Sequence, residues 1–282
     1  MIVTGDALLP ELIAGETSGE IQAAFAGDSG RTRLASLYQQ GTLRMLMPDT
    51  HDGVAQAIVA NTSGGIVAGD ALRIGVTASG NAKLLATSQA AEKVYRSTGA
   101  DCLIETFLRA ESGGTLEWLP QETILFEGAR MRRRITLDVD ATSSALIGET
   151  LVFGRAARGE RLTRGLVHDV WQVRRDGRLV WADALRLDGD IAAKLDAPAG
   201  LGGAAAYATL AYVGEDAPRM LEDARRMLND SSCRTGATCV NGVLIARWLS
   251  EDASALRRDY LRFLAAFRPL LHGGTVDAPT VW

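Results

Sequence analysis

From residue 31 to about residue 188 the chain repeats one pattern. Short runs of alternating apolar and polar residues, rich in β-branched and aromatic side chains, are cut at intervals by glycine or small polar residues. A period of two is the spacing at which a strand sends successive side chains to opposite faces, so this stretch has to be built mainly of strands with one face buried. The clearest run is 134–140, with Ile135, Leu137 and Val139 expected inward and Arg134, Thr136 and Asp138 facing water. Further strands read at 83–88, 102–110, 115–119, 144–153, 166–174 and 177–187. Asp176-Gly177 separates the last two, and this pair readily takes the positive φ angles of a tight primed turn, so the flanking strands are expected to pair antiparallel. The spacing predicts a wound, multi-stranded β body.

Two helices stand out in the last third. Over 216–229, Met220, Leu221, Ala224, Met227 and Leu228 recur at helical spacing; over 252–268, Leu256, Tyr260, Phe263, Leu264 and Phe267 form an apolar stripe that Pro269 should end. The first 30 residues, with Gly15, Gly19, Gly27 and Gly30, show little periodicity and read as an extended, loosely docked arm before a single domain over 31–282.

Hydrophobic residues make up 47% of the chain and charged residues 23%, the balance of a folded soluble protein rather than a disordered one. A net charge of -4 gives no basic field, so neither nucleic acid nor an anionic membrane is expected as a partner. Three cysteines (Cys102, Cys233 and Cys239) do not suggest a disulfide framework, and acidic Asp6, Glu11 and Glu16 stand where a secretory leader needs positive charge and an apolar run. No segment has the roughly 18 apolar residues of a membrane span. A cytoplasmic location is expected.

The most conspicuous segment is Asn61-Thr-Ser-Gly-Gly-Ile-Val-Ala-Gly-Asp70. Gly64 to Gly69 has the glycine spacing of a phosphate-binding loop, but Asp70-Ala71 follows where that loop needs Lys and then Ser or Thr, and a carboxylate there would repel a nucleotide. Two readings stay open: a glycine turn in which Asp70 bonds nearby amides, or a carboxylate lining a pocket or channel. His51, His168 and His272 are scattered, and Cys233 and Cys239 match no strong metal motif, so no high-affinity metal site is expected. Asp70, Glu122, Glu149 and Glu160 are oxygen ligands suited to weak, transient binding of a divalent ion. Glu92-Lys93 and Tyr95-Arg96 read as exposed polar pairs. The run Arg130, Arg132, Arg133 and Arg134 reads as a solvated strand edge or a contact for an acidic partner. No motif for a catalytic serine, a zinc protease or a kinase is present.

Taken in order, the block from Asn61 to Asp70, Glu92-Lys-Val-Tyr-Arg-Ser97, Leu116-Glu-Trp-Leu-Pro-Gln-Glu-Thr-Ile-Leu-Phe126, Gly154-Arg155 with Gly159-Glu160, and Gly236 to Leu249 resemble the UreD (also called UreH) family of urease accessory proteins. The resemblance covers about 31–282. It implies a mainly β, β-helix-like wound body with two α-helices near the C-terminal end. It also implies a non-catalytic scaffold or metallochaperone component. Such a protein binds the urease apoprotein and UreF, which recruits the GTPase UreG and through which a dimer is expected, and it supports nickel insertion into urease. No cofactor is held tightly; nickel is transient cargo. An internal nickel route with acidic residues on its path is implied, and motif position makes Asp70 and Glu149 its candidates. Gly64, Gly65, Gly69, Tyr95, Arg96, Trp118, Pro120, Glu122, Gly154, Arg155 and Glu160 are motif residues with structural or interface roles. Ala68-Gly69 departs from the family's usual glycine pair, and the first 30 residues match poorly. Two alternatives are an assembly clamp without nickel conduction and a hydrolase using Asp70 and Glu122 as acid and base.

Overall fold

A computed structural model describes residues 18–279 and 281. Among these residues, the first strands are β1 (Gly19–Asp28), β2 (Arg31–Gly41), β3 (Leu43–Leu46), β4 (Ala55–Asn61), β5 (Ala71–Ser79), β6 (Lys83–Ser88), β7 (Glu92–Val94) and β8 (Cys102–Ala110). There follow β9 (Thr115–Trp118), β10 (Thr123–Leu125), β11 (Arg130–Val139), β12 (Ser144–Phe153), β13 (Leu166–Arg175) and β14 (Arg178–Asp188). Helix α1 (Ile191–Asp196), β15 (Ala206–Val213), α2 (Leu221–Leu228), β16 (Arg234–Val240), β17 (Val243–Ser250) and α3 (Ala253–His272) complete the series.

The strands form two sheets. One has the order β14-β13-β11-β8-β5-β1-β2; the other has the order β16-β17-β15-β12-β9-β6-β4-β3, with β10 paired to β12 and β7 to β10. From β4 to β13 the chain passes repeatedly from one sheet to the other, and neighbouring strands of these turns run parallel. The result is a β-helix-like solenoid of about four turns. Antiparallel pairs flank it: β2 on β1 and β3 on β4 at one end, β14 on β13 and β15 on β12 at the other. The Asp176-Gly177 turn joins β13 to β14 with φ of 51° and 72°, both in the left-handed region that a primed turn requires.

The period of two divides the apolar residues into two cores. Leu116, Ile135, Leu137, Ala145 and Ile147 belong to the core inside the solenoid. Leu85, Leu146, Leu210 and Trp248 lie on the other face of the second sheet, packed with Leu228 of α2 and with Tyr260, Phe263 and Phe267 of α3. The second sheet is irregular in one respect that shapes the site. Ala57, Ala86, Trp118 and Ile147 align across four strands, and so do Ile66, Val94, Leu125 and Phe153. From one row to the other the chain advances six residues in the turn of β12, then seven, eight and nine in the turns before it. Because pairing fixes both rows, each surplus residue has to leave the ladder, and the wall opens progressively toward β4.

Several expectations are corrected. Gly19–Asp28, read as part of an unpatterned arm, is an inner strand with Ile21, Ala23 and Phe25 buried; the remainder of that arm, 1–17, lies outside the described residues. The arginine run is not an edge, because β11 lies between β8 and β13 and Arg133 is buried on the same face as Met131 and Ile135. Thr136 is buried as well. The first of the two expected helices begins only at Leu221, after turns that hold Pro218, and the short α1 has no counterpart among the expected elements. Pro269 does not stop α3: it lacks one amide hydrogen, but its carbonyl accepts from Gly273, whose φ of 68° ends the helix after His272.

Candidate functional site

The widened turns enclose a cavity of about 140 Å³ between the two sheets, room for several water molecules. Exposed Gln89, Ala90 and Lys93 stand among the residues lining it, together with half-buried Asn61, Glu92 and Gln121. Its interior wall carries Trp118, Thr123, Arg133 and Glu149. Inward-facing positions of a solenoid are ordinarily apolar, so charge at this depth needs partners.

Arg133 supplies them. Its Nε and Nη2 each donate to an oxygen of Asp169 at 2.8 Å, a bidentate pair between register partners on β11 and β13. Its Nη1 donates to Glu149 Oε2 at 2.5 Å and to Thr123 Oγ1 at 3.3 Å, and Trp118 Nε1 donates to Glu149 Oε1 at 3.0 Å. Two carboxylates thus share one guanidinium. Burial raises the Glu149 carboxyl above the usual range; Arg133 and Trp118 pull it down but do not cancel the rise, and Asp169 adds to it. Glu92 is raised too, chiefly by burial, against hydrogen bonds from Asn61 and the Lys93 amide. Both are carboxylates that a cation would stabilise.

The other anticipated residues fall into three places. Gly64, Gly65, Tyr95, Arg155 and Glu160 come together beside the row of Ile66, Val94, Leu125 and Phe153. Tyr95 donates to the Gly64 carbonyl at 3.2 Å and packs edge-on against Phe126 at 4.9 Å, while the Arg155 guanidinium lies 4.1 Å from the Phe126 ring and pairs with Glu160. Gly65 has to be glycine: its φ is 147°, and a Cβ would sit 2.4 Å from the Tyr95 ring. Gly154 is equally confined, with φ of 102° and the Glu160 carbonyl 2.5 Å from where a Cβ would be. Arg96 bridges to Ala129 nearby. Asp70 stands apart from the cavity lining; Ser18 Oγ and the Val67 amide donate to it at 3.0 and 2.9 Å. Gly69 carries a positive φ of 85° in that turn, and Ala68 does not.

Glu122 is the third case. It accepts from Arg257 of α3 at 2.9 Å and lines a separate cavity of about 190 Å³ between β12 and α3, which meets the first only through Pro120 and Gln121. Asp70 lines neither of these two cavities and bonds to Ser18 and Val67, whereas Glu122 pairs with Arg257, so no contact among the described residues brings the two together as an acid and base pair. No group of three or more His, Cys, Asp or Glu among the described residues is placed to hold a metal ion.

The family model for UreD urease accessory protein matches residues 17–282. The chain belongs to the UreD family. It is 43% identical over 270 residues to urease accessory protein UreD of Magnetococcus marinus, with 94% of this chain and 93% of that protein covered. It is 44% identical to UreD of Xanthobacter autotrophicus, covering 94% and 90% of the two chains, and 37% identical to UreD 1 of Brucella abortus, covering 100% and 99%. No helix among the described residues is long and apolar enough to cross a membrane.

Within this UreD-family chain, sequence reasoning singled out Glu149 and Trp118, read Arg133 as part of a solvated edge or a contact for an acidic partner, and did not single out Asp169 or Thr123. For Arg133 the signal was present: a period of two places it with Met131 and Ile135, not with Arg132 and Arg134. A second buried cluster was missed entirely. Glu117, beside Trp118 but on the opposite face of β9, accepts from Arg268 Nε at 2.5 Å, Arg268 Nη2 at 3.1 Å and His272 Nε2 at 2.8 Å.

Proposed function

We propose that this chain is a non-catalytic scaffold for urease maturation. It binds the urease apoprotein and UreF, through which UreG is recruited, and it gives nickel a passage past Glu149 on the way into urease. Membership of the family supports the accessory role. The observation that carries the passage is a cavity inside the solenoid with an under-compensated carboxylate, Glu149, on its wall and Glu92 among its half-buried lining residues. Weak oxygen ligands met in succession suit cargo, because one tight site would hold the ion.

The test is co-expression with UreF, UreG and the urease apoprotein, reading complex formation, urease nickel content and activity. Glu149→Ala is expected to lower urease nickel by about tenfold, the scale at which loss of one charged ligand is felt, with the complex intact. Asp70→Ala is the companion: loss of nickel there would extend the route to the Asp70 turn, and full activation would leave Asp70 as a turn carboxylate. Full activation by Glu149→Ala would remove the passage and leave an assembly clamp.

A further inference from the structure

Resting on that passage, a finer division of labour is written in the Arg133 geometry. Nε and Nη2 each donate to an Asp169 oxygen at 2.8 Å, so Asp169 holds the guanidinium by two bonds that do not involve Glu149, and Thr123 Oγ1 adds a third contact at Nη1. The remaining nitrogen, Nη1, reaches Glu149 Oε2 at 2.5 Å. Among the described residues, Glu149 is held on its other oxygen only by the neutral Trp118 indole at 3.0 Å. Arg133 can therefore give up Glu149 while keeping its bidentate partner. Glu149, of the three ionic groups, is the one free to change partners.

Without Arg133, Glu149 on the cavity wall and Asp169, which lies outside the lining, would be two buried carboxylates with no shared counter-charge, at a depth where cation and carboxylate attract more strongly than in water. With Arg133 present, Asp169 is fully occupied and Glu149 can be won only in competition with a fixed positive charge. We infer that Arg133 is a positioning residue that keeps Glu149 from becoming a metal trap, by competing with the passing divalent cation for Oε2 and so shortening its stay. A lysine in its place keeps the charge but not the planar fork, so its one nitrogen cannot hold Asp169 by two parallel bonds and reach Glu149 from a third nitrogen at once.

The experiment uses the full chain and Ni²⁺ alone in equilibrium dialysis, with urease nickel content in co-expressing cells as the second readout. Arg133→Lys is expected to bind Ni²⁺ roughly tenfold more tightly, as loss of a charge-assisted competitor predicts, and yet to deliver less nickel to urease. The gain should vanish in Arg133→Lys/Glu149→Gln. Unchanged affinity in a folded Arg133→Lys chain overturns the inference and leaves the passage standing. Full activation by Glu149→Gln overturns the passage itself. Should Arg133→Lys fail to fold, Arg133→Met/Asp169→Asn removes the guanidinium together with the carboxylate it anchors; the same tightening supports the inference, and its absence overturns it.

Discussion

Two clusters of buried charge lie on opposite faces of the same sheet, on adjacent strands β9 and β12. Under α3, Glu117 is fully buried and has two basic partners, Arg268 and His272, which use both of its oxygens. Inside the solenoid, Arg133 is shared by two carboxylates, Glu149 and Asp169. The contrast shows in their ionisation. Burial alone would raise Glu117, but the hydrogen bonds from His272 and Arg268 outweigh it and hold the carboxyl below the usual range; Glu149, with less help, stays above it. Glu117 lines neither of the two cavities described above, whereas Glu149 lines the inner one. A carboxylate with two basic partners fastens a helix; one that shares its single basic partner with a second carboxylate and faces a cavity is the one a cation would stabilise.

The sharpest way to break this comparison is to neutralise each glutamate in turn. Glu117→Gln leaves the Arg268 guanidinium buried without its counter-charge and is expected to cost about 3 kcal/mol or more, the scale for breaking a buried pair from one side. Glu149→Gln leaves the bidentate Arg133–Asp169 pair in place and removes the surplus charge, so it should change stability by about 1 kcal/mol or less. Urea denaturation midpoints of the two variants decide between them. Equal losses would mean that both clusters are simply structural.

A smaller effect separates the two faces at neighbouring residues. Gly148 precedes Glu149 on β12 and points the other way; a Cβ there would lie 1.9 Å from the Tyr260 hydroxyl of α3. Gly148→Ala should therefore push on α3, at a cost of about 1–3 kcal/mol as for overpacking elsewhere. If the faces are independent, thermal stability falls while the Ni²⁺ affinity proposed for the cavity is unchanged. A change in that affinity would show that α3 and the cavity are coupled through β12.

Much of this architecture was legible because strand periodicity is local. The strands at 83–88, 102–110 and 144–153 match β6, β8 and β12, and the Asp176-Gly177 turn follows from two residues. β1 was missed because small residues between and after Ile21, Ala23 and Phe25 blur the contrast on which the alternation depends. The clusters were less legible for a different reason. Asp169 meets Arg133 across 36 residues and Arg268 meets Glu117 across 151, separations set by the winding rather than by any local pattern. The cavity was hidden as well, since the growing spacing between its two bounding rows becomes visible only when the parallel register is known.

The smallest expected effect is one of slope with pH, and its sign differs between the clusters. The folded state holds the Glu149 proton more tightly than the unfolded chain does, so ionised Glu149 costs stability, and the cost is relieved as pH falls through its raised value toward the ordinary 4.5. The lowered Glu117 contributes stability above that ordinary value and loses it as pH falls through its own depressed one. As pH is lowered from neutrality toward 4.5, wild type should accordingly gain stability relative to Glu149→Gln. Protons should also compete with Ni²⁺ at Glu149 over the same interval, so binding weakens as the protein gains on its variant. A wild type and variant whose stabilities run parallel across that interval would place Glu149 with Glu117, as a satisfied carboxylate with no call on a cation.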